Sequence, residues 1–297
     1  MDRKRLEGVF PLVPFVVKKN QELDLEGLRE NINFLSESGV HGFIIFGCMG
    51  EFYAPSEEEF NKVVDVAVDA SGRLACVIGT TFQNTKECIR RTKYAENAGA
   101  DGVMIAPPYV INPTEDVVLK HYQLINEAID EIQIMVYNYP PLAKSFNITP
   151  KLWNKLLKLD KIKALKESNS DVIHRTVVLN KIADKINVFS GSEALFLSDS
   201  LLGAKGIVSL FGIAVPKAVL ALYKSCVERN LEQAIKLHRI FSELCSYITP
   251  YNEVAFLKAT AEIGERAAGP PRSPYQPLDL EEYEVLKKYL SKLLSFV

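Results

Sequence analysis

Short apolar runs alternate along the chain with longer segments in which apolar residues recur every three or four positions. There are eight such runs: GVFPLVPFVV, GFIIFG, ACVIGT, GVMIAPP, IQIMVYN, IKALKES, INVFSGS and GIVSLFG. The segments between them have helical spacing, as at Leu28, Ile32 and Leu35 after the first run. The pattern therefore predicts eight strands, each followed by a helix.

The starts of two predicted helices carry capping residues. Ser56 is followed three positions later by Glu59, and Asn84 by Glu87. Such pairs are typical of a helix N-terminus, where the polar side chain satisfies a free backbone amide. Glycines introduce three of the predicted strands, at Gly42, Gly102 and Gly206.

Alternation of strand and helix predicts parallel strands joined by right-handed crossovers, and eight units are the number that closes a barrel. We therefore predict an α/β fold, a (β/α)8 TIM barrel over residues 1–215. Residues 216–297 are predicted to form the last barrel helix and a C-terminal helical extension packed on the barrel. An open doubly wound sheet is the alternative, but the glycine-rich GxGxxG loop that would favour it is absent after the first run.

Composition narrows the functional classes. The net charge of -2 and the lack of a basic stripe give no argument for nucleic acid, and no apolar run approaches the roughly 20 residues that span a bilayer. The N-terminus MDRKRLEGVF lacks a leader-like apolar core, so a cytoplasmic location is expected. The five cysteines are scattered without a CxxC pair, which favours reduced thiols. The expected partners are small molecules.

The strand pleat predicts which side chains enter the barrel. In the fifth run, alternation separates the uniformly aliphatic Ile132, Ile134 and Val136 from Gln133, Met135 and Tyr137. The aliphatic set suits the helix-covered outside, so Tyr137 is predicted to point inward. The same alternation places Ala164, Lys166 and Ser168 inside on the sixth run. Tyr137 and Lys166 are therefore predicted to stand side by side at the carboxyl end, where barrels of this type have their active sites.

A lysine inside a barrel has a specific chemical use. An ordinary lysine has a pKa near 10.4, so only about 1 molecule in 2,500 carries the free amine at pH 7. Burial lowers this pKa and allows the amine to form a Schiff base with a carbonyl compound. A neighbouring phenol such as Tyr137 can transfer the protons that this chemistry requires. The alternative is an ion pair of Lys166 with Glu167 that serves structure alone.

Five motifs together resemble one known family. They are GCMGE after the second run, YNYP after the fifth, LKES on the sixth, GSE on the seventh, and the C-terminal GPPRSPYQPLDLEE. In this order they resemble the dihydrodipicolinate synthase / N-acetylneuraminate lyase family of Schiff-base-forming class I aldolases. The resemblance implies a barrel with three added C-terminal helices, usually a homotetramer, acting on pyruvate or related 2-oxo acids without a metal or organic cofactor. It makes Lys166 the Schiff-base lysine and Tyr137 the catalytic tyrosine.

The resemblance also implies a substrate-binding loop after the second strand. The family's Gly-Thr-Thr-Gly-Glu holds the pyruvyl carboxylate through amides and hydroxyls, and here it is replaced by Gly47, Cys48, Met49, Gly50 and Glu51. Both hydroxyls are lost, whereas the amide contacts of an anion nest can persist. Further candidate substrate-binding residues at other strand ends are Tyr109, Ser190, Gly191 and Ser209. For Ser190 and Gly191 the alternative is capping of the next helix, and for Ser209 it is filling of the core.

Two more departures from the family concern catalysis and substrate. Val110 stands where the family commonly has a tyrosine that reaches into the neighbouring subunit, so of three relay groups only Tyr137 clearly remains, unless Tyr109 has a shifted role. The arginine that binds the aspartate semialdehyde carboxylate in true dihydrodipicolinate synthases is absent after YNYP, where the chain continues Pro141, Leu142, Ala143, Lys144.

These features favour a lyase that joins or cleaves pyruvate and an aldehyde, with a 2-keto-3-deoxy sugar acid or similar 2-oxo acid as substrate. Three alternatives stay open: 4-hydroxy-tetrahydrodipicolinate synthase, a dehydratase of deoxy-keto sugar acids, and a non-catalytic binder of 2-oxo acids. A metal-dependent aldolase is disfavoured because the four histidines show no paired ligand spacing. They are His41, His121, His174 and His238.

Overall fold

The computed structural model describes residues 3–295. Residues 1, 2, 296 and 297, at the ends of the two predicted ranges, lie outside the described residues. Residues 3–295 form eight strands: β1 Gly8–Val13, β2 Gly42–Ile45, β3 Ala75–Gly79, β4 Gly102–Ile105, β5 Gln133–Asn138, β6 Ile162–Glu167, β7 Asn187–Ser190 and β8 Gly206–Ser209.

The strands pair in sequence order and close into a barrel, with β8 beside β1 and all eight pairings parallel. The predicted (β/α)8 barrel is confirmed, and the alternative of an open sheet is wrong. Closure leaves no sheet edge unpaired, since each strand shares its backbone hydrogen bonds with two neighbours.

Helices follow the strands and cover the barrel. They are α1 Leu25–Glu37, α2 Glu57–Ala70, α3 Thr85–Ala98, α4 Glu115–Ala128, α5 Pro150–Leu156, α6 Val172–Ile182, α7 Glu193–Leu201, α8 Pro216–Val227, α9 Leu231–Cys245, α10 Glu253–Ile263 and α11 Leu280–Leu294. The last three form the additional C-terminal layer: α9 packs on α7 and α8, and α11 on α9 and α10. None of the helices in residues 3–295 is long and apolar enough to cross a bilayer.

The helical faces agree with the sequence pattern. Leu28, Ile32 and Leu35 are all buried on α1. Burial of each side chain stabilises the fold by about 1.5–3 kcal/mol relative to leaving it in water. The predicted capping box at α2 is also confirmed, because Ser56 accepts from the Glu59 amide while the Glu59 carboxylate accepts from the Ser56 amide.

Aromatic rings fill the barrel interior beside the glycines that begin β2 and β8. Phe10 and Phe189 meet edge to face with ring centroids 5.0 Å apart. A Cβ on Gly42 would lie 2.5 Å from the Phe10 ring, and one on Gly206 would lie 2.4 Å from the Phe189 ring. The Phe10 and Phe189 rings therefore occupy the space that side chains at Gly42 and Gly206 would need. This arrangement gives the close packing of a protein interior.

Replacement of Ser56 by alanine is expected to lower the free energy of unfolding by about 1 kcal/mol, because the first turn of α2 loses a side-chain acceptor for its free amide. Urea titration followed by fluorescence of the single tryptophan, Trp153, buried on α5, measures this change. Ser291→Ala is the matched control in the exposed interior of α11, where alanine favours the helix. Equal loss in both variants would contradict the assigned cap.

Candidate active site

Tyr137 and Lys166 are direct neighbours at the carboxyl ends of β5 and β6. They are register partners in the barrel, and Lys166 Nζ lies 4.1 Å from the centroid of the Tyr137 ring. Both side chains are buried. They line a cavity of about 240 Å³, here called the lysine cavity, together with Met49, Ser168 and Gly191. The pleat of the two strands thus brings the predicted pair together.

Glu167 does not pair with Lys166. Its carboxylate accepts from Asn138 Nδ2 at 2.9 and 3.0 Å and from the Asn169 amide at 2.8 Å, on the opposite side of β6 because successive side chains alternate. Within residues 3–295, the ion pairs between two buried side chains are Arg175–Asp199 and Lys258–Glu51, and neither includes Lys166.

The buried amine has an altered acidity. Burial lowers the pKa of Lys166 to about 8, although nearby acidic groups oppose this shift. At pH 7 roughly one molecule in ten then carries the neutral amine, against about 1 in 2,500 for an ordinary lysine. Burial also raises the pKa of Tyr137 well above its ordinary value, so its phenol keeps its proton at neutral pH. The cavity therefore presents a nucleophilic amine beside a neutral proton donor.

The loop after β2 presents backbone amides. The amides of Cys48, Met49 and Gly50 donate to no backbone acceptor among residues 3–295, whereas the Glu51 amide turns back to the Cys48 carbonyl. Gly47 and Gly50 are buried in this loop, and Met49 reaches the lysine cavity. Three free amides in one turn are a site that favours an anion.

Glu51 holds the loop after β2 against two groups of the C-terminal segment. Its carboxylate pairs with Lys258 Nζ at 2.9 Å and accepts from the Arg272 amide at 2.7 Å. Lys258 also donates to the carbonyls of Phe15 at 2.7 Å and Pro270 at 2.9 Å. Glu51 thus joins the loop after β2 to the C-terminal layer.

Glu253 is a site residue that sequence reasoning missed. It opens α10, in the C-terminal layer, and its two carboxylate oxygens accept from Cys48 Sγ and from Tyr139 Oη, each at 3.1 Å. The Tyr139 ring stacks on Tyr137 with centroids 5.7 Å apart. Burial raises the pKa of Glu253, an effect that the two hydrogen bonds and the charge of Lys166 oppose. The only signal in the sequence was an acidic residue at a helix start, a common feature of surface helices.

A second cavity of about 310 Å³, here called the aromatic cavity, adjoins the first. Tyr139, Pro250 and Glu253 line both. Cys48 and the predicted substrate-binding residue Tyr109 line the aromatic cavity, beside Tyr53 and Tyr275 among others. Lys166 is the only lysine or arginine among the residues lining either cavity.

The remaining candidates lie at the strand ends but face protein groups. Ser190 Oγ accepts from Arg175 and donates to the Ser192 carbonyl, at 3.0 Å each. Ser209 Oγ donates to Glu193 Oε1 at 2.5 Å. Neither serine is among the residues lining the two cavities, whereas Gly191, between them in sequence, lines the lysine cavity.

Two further positions at which the chain departs from the family, Val110 and Lys144, are open to solvent. Val110, which replaces the relay tyrosine, is 52% exposed, and Lys144, which follows the YNYP motif, is exposed and lines neither cavity. Among the described residues, no group of three or more His, Cys, Asp or Glu side chains is arranged to hold a metal ion.

The chain is similar to known proteins along nearly its whole length. The model of the dihydrodipicolinate synthetase family matches residues 5–293. The 4-hydroxy-tetrahydrodipicolinate synthase of Methanospirillum hungatei is 34% identical over 290 residues, which cover 96% of this chain and 99% of the relative. A crystal structure of dihydrodipicolinate synthase is 32% identical, with a TM-score of 0.88. The similarity covers 98% of this chain and 100% of that one. YagE, an E. coli K12 prophage protein crystallised with pyruvate, is 25% identical, with a TM-score of 0.89. The similarity covers 97% of this chain and 99% of YagE.

Fold and similarity together define a carbon–carbon lyase of the Schiff-base aldolase class. The chain belongs to the dihydrodipicolinate synthetase family. The resemblance read from the five motifs is therefore confirmed at the level of the family. The curated relative named above carries the name of the synthase, as do other curated relatives, and this was one of the alternatives to the favoured sugar-acid aldolase.

Proposed function

We propose that Lys166 forms a Schiff base with pyruvate and that the enzyme uses it to form or break a carbon–carbon bond with an aldehyde. The observation that carries this proposal is the buried Lys166 amine, with its lowered pKa and without a carboxylate partner, beside Tyr137. The free amides of Cys48, Met49 and Gly50 would hold the pyruvate carboxylate. The protonated imine then acts as an electron sink, and Tyr137 donates protons to the oxygens that leave or form.

We propose further that the aldehyde is neutral, as in the cleavage of a 2-keto-3-deoxy sugar acid. An aldehyde with its own carboxylate requires a cation, and Lys166 is the only lysine or arginine lining the two cavities. The Glu253 carboxylate at their junction would repel a second anion. Synthase activity with aspartate semialdehyde is the second candidate, favoured by the names of the curated relatives.

Borohydride trapping tests the proposal. Protein incubated with pyruvate and reduced with borohydride is digested and mapped by mass spectrometry. We expect a reduced pyruvyl adduct on the peptide that contains Lys166. Turnover assays with pyruvate and either glyceraldehyde or aspartate semialdehyde then separate the two candidates. Folded protein that yields no adduct would refute the Schiff-base function.

Trapping is expected to depend on pH through Lys166. Only the neutral amine attacks the carbonyl, so the initial rate of adduct formation should rise with pH and reach half its maximum near the Lys166 pKa of about 8. Rates measured between about pH 6 and about pH 10 test this. A midpoint near that of an ordinary lysine would show that the amine is not desolvated in solution.

The homotetramer remains a prediction of the resemblance. Size-exclusion chromatography with light scattering measures the assembly directly. We also propose that the chain divides after residue 215. The barrel strands lie before this point, and the last barrel helix and the C-terminal layer lie after it.

A further inference from the structure

Glu253 occupies the junction between the place where pyruvate would bind and the place where an aldehyde would enter. Its carboxylate lines both the lysine cavity and the aromatic cavity. It forms no ion pair with Lys166, which lines the same lysine cavity. A small 2-oxo acid bound to Lys166 would lie in that space.

We propose that Glu253 is a catalytic residue that removes and returns a proton at C3 of pyruvate bound to Lys166. This inference rests on the proposed function, because it requires the Schiff base. It assigns this proton transfer to a residue of the C-terminal layer.

The step is balanced as follows. In the protonated imine, a Glu253 carboxylate oxygen takes one C3 proton. The electron pair of that C–H bond becomes the C2–C3 double bond, and the C–N π pair moves onto the Lys166 nitrogen. The products are a neutral enamine and a carboxylic acid. The reverse step returns a proton to C3, and in D2O the exchanged carboxyl group returns a deuteron.

Other titratable groups of the lysine cavity suit this step less well. The Tyr137 phenol keeps its proton at neutral pH because burial raises its pKa. Glu193 also lines the cavity, but its carboxylate is held by Ser209 Oγ and the Phe211 amide, which belong to residues that line neither cavity, and the residue is 2% exposed. Glu253 receives both its hydrogen bonds from side chains that line the cavities themselves.

The partners of Glu253 poise it for proton transfer. Burial favours the neutral acid, while Cys48 and Tyr139 donate to the charged form and stabilise it. Opposing effects of this kind bring a carboxyl group toward the acidity that general acid and base catalysis at neutral pH requires. Cys48, which stands where the family has a hydroxyl, thus serves as a donor to this carboxylate.

Besides Glu193, Cys245, Tyr109, Tyr251 and Tyr275, which line the same two cavities, the pH dependence of the step involves the titratable groups whose charges act directly on the Glu253 carboxylate. These groups come from the loop after β2, from β5 and the residues that follow it, and from β6. They are Cys48, Tyr53, Tyr137, Tyr139 and Lys166.

The test needs only pyruvate. Proton NMR in D2O follows the exchange of the pyruvate methyl protons, and borohydride trapping measures Schiff-base formation in the same sample. In Glu253→Gln, which keeps an acceptor oxygen but loses the base, we expect adduct formation to stay within about two-fold of the wild type. Methyl exchange should fall by about 100-fold or more. Glu253→Asp should restore part of the exchange, and it also serves as the second variant if the glutamine variant does not fold.

Two further variants separate catalysis from structure. Glu262→Gln, at an exposed position of the same helix, is the matched control and should exchange at the wild-type rate. Tyr139→Phe removes a donor that lowers the Glu253 pKa, so the exchange rate, corrected for adduct, should rise at a higher pH than in the wild type. A group that merely holds the loop in place would not shift this profile.

The outcomes are distinct. No adduct in the wild type refutes the proposed function itself. Normal adduct with undiminished exchange in Glu253→Gln overturns the role of Glu253. Loss of exchange in Glu193→Gln, with exchange retained in Glu253→Gln, transfers the role to Glu193 and equally overturns the inference.

Discussion

Lys166→Ala is expected to incorporate no pyruvate on borohydride treatment and to lose aldol turnover by about 10⁴-fold or more, because the nucleophile of a covalent mechanism is removed. The barrel should stay intact, since Lys166 forms no ion pair that alanine would leave unmatched among the described residues. Removal of a desolvated amine is also expected to leave the free energy of unfolding unchanged or raise it, because the charged form is disfavoured by burial.

Lys163→Ala is the matched control for this variant. Lys163 lies on the same strand, three residues earlier, and is exposed on the surface. It should trap pyruvate and turn over at the wild-type rate. Pyruvate adduct on the Lys166→Ala protein, located on any other lysine, would show that the Schiff base forms elsewhere.

Lys258→Ala is expected to lower the free energy of unfolding by about 3–5 kcal/mol, the largest stability effect that we predict. Lys258 is 2% exposed and Glu51 is fully buried, so loss of the cation leaves a carboxylate without its partner in the interior. The carbonyls of Phe15 and Pro270 lose their donor in the same variant. Urea titration monitored by Trp153 fluorescence measures the loss.

Two comparisons show whether burial is the cause. Lys236→Ala removes an exposed partner of Glu232 and should cost only about 0.3–0.5 kcal/mol. The double variant Glu51→Gln/Lys258→Met carries no charge at these two positions, so it should lose less stability than the sum of the single variants Glu51→Gln and Lys258→Met. Strict additivity would contradict a direct pairing of these two residues.

The barrel and its central pair could be predicted because both depend on local periodicity. A strand alternates its faces every residue, so the aliphatic positions of β5 are enough to aim Tyr137 inward. The same rule applied to β6 aims Lys166 inward, and the sequential order of the strands makes the two residues neighbours. No long-range information is needed for this part of the site.

Glu253 could not be predicted in this way. Its position depends on how α10 packs across the barrel opening, and helical periodicity shows which face of a helix is buried but not what that face meets. The same limit applies to Ser190 and Ser209. Their place at strand ends was clear, whereas their engagement by Arg175 and Glu193 depends on side chains from other elements.

The link between Glu51 and Lys258 has a consequence for synthesis of the protein. Domains fold as the chain emerges from the ribosome, with N-terminal parts first. The loop of residues 47–51 emerges early, but the cation that neutralises its buried carboxylate follows about two hundred residues later. Nascent chains that already contain all eight strands therefore still carry an unneutralised acid at the barrel opening. The pairing of Glu51 with Lys258 therefore forms only after residue 258 has been synthesised.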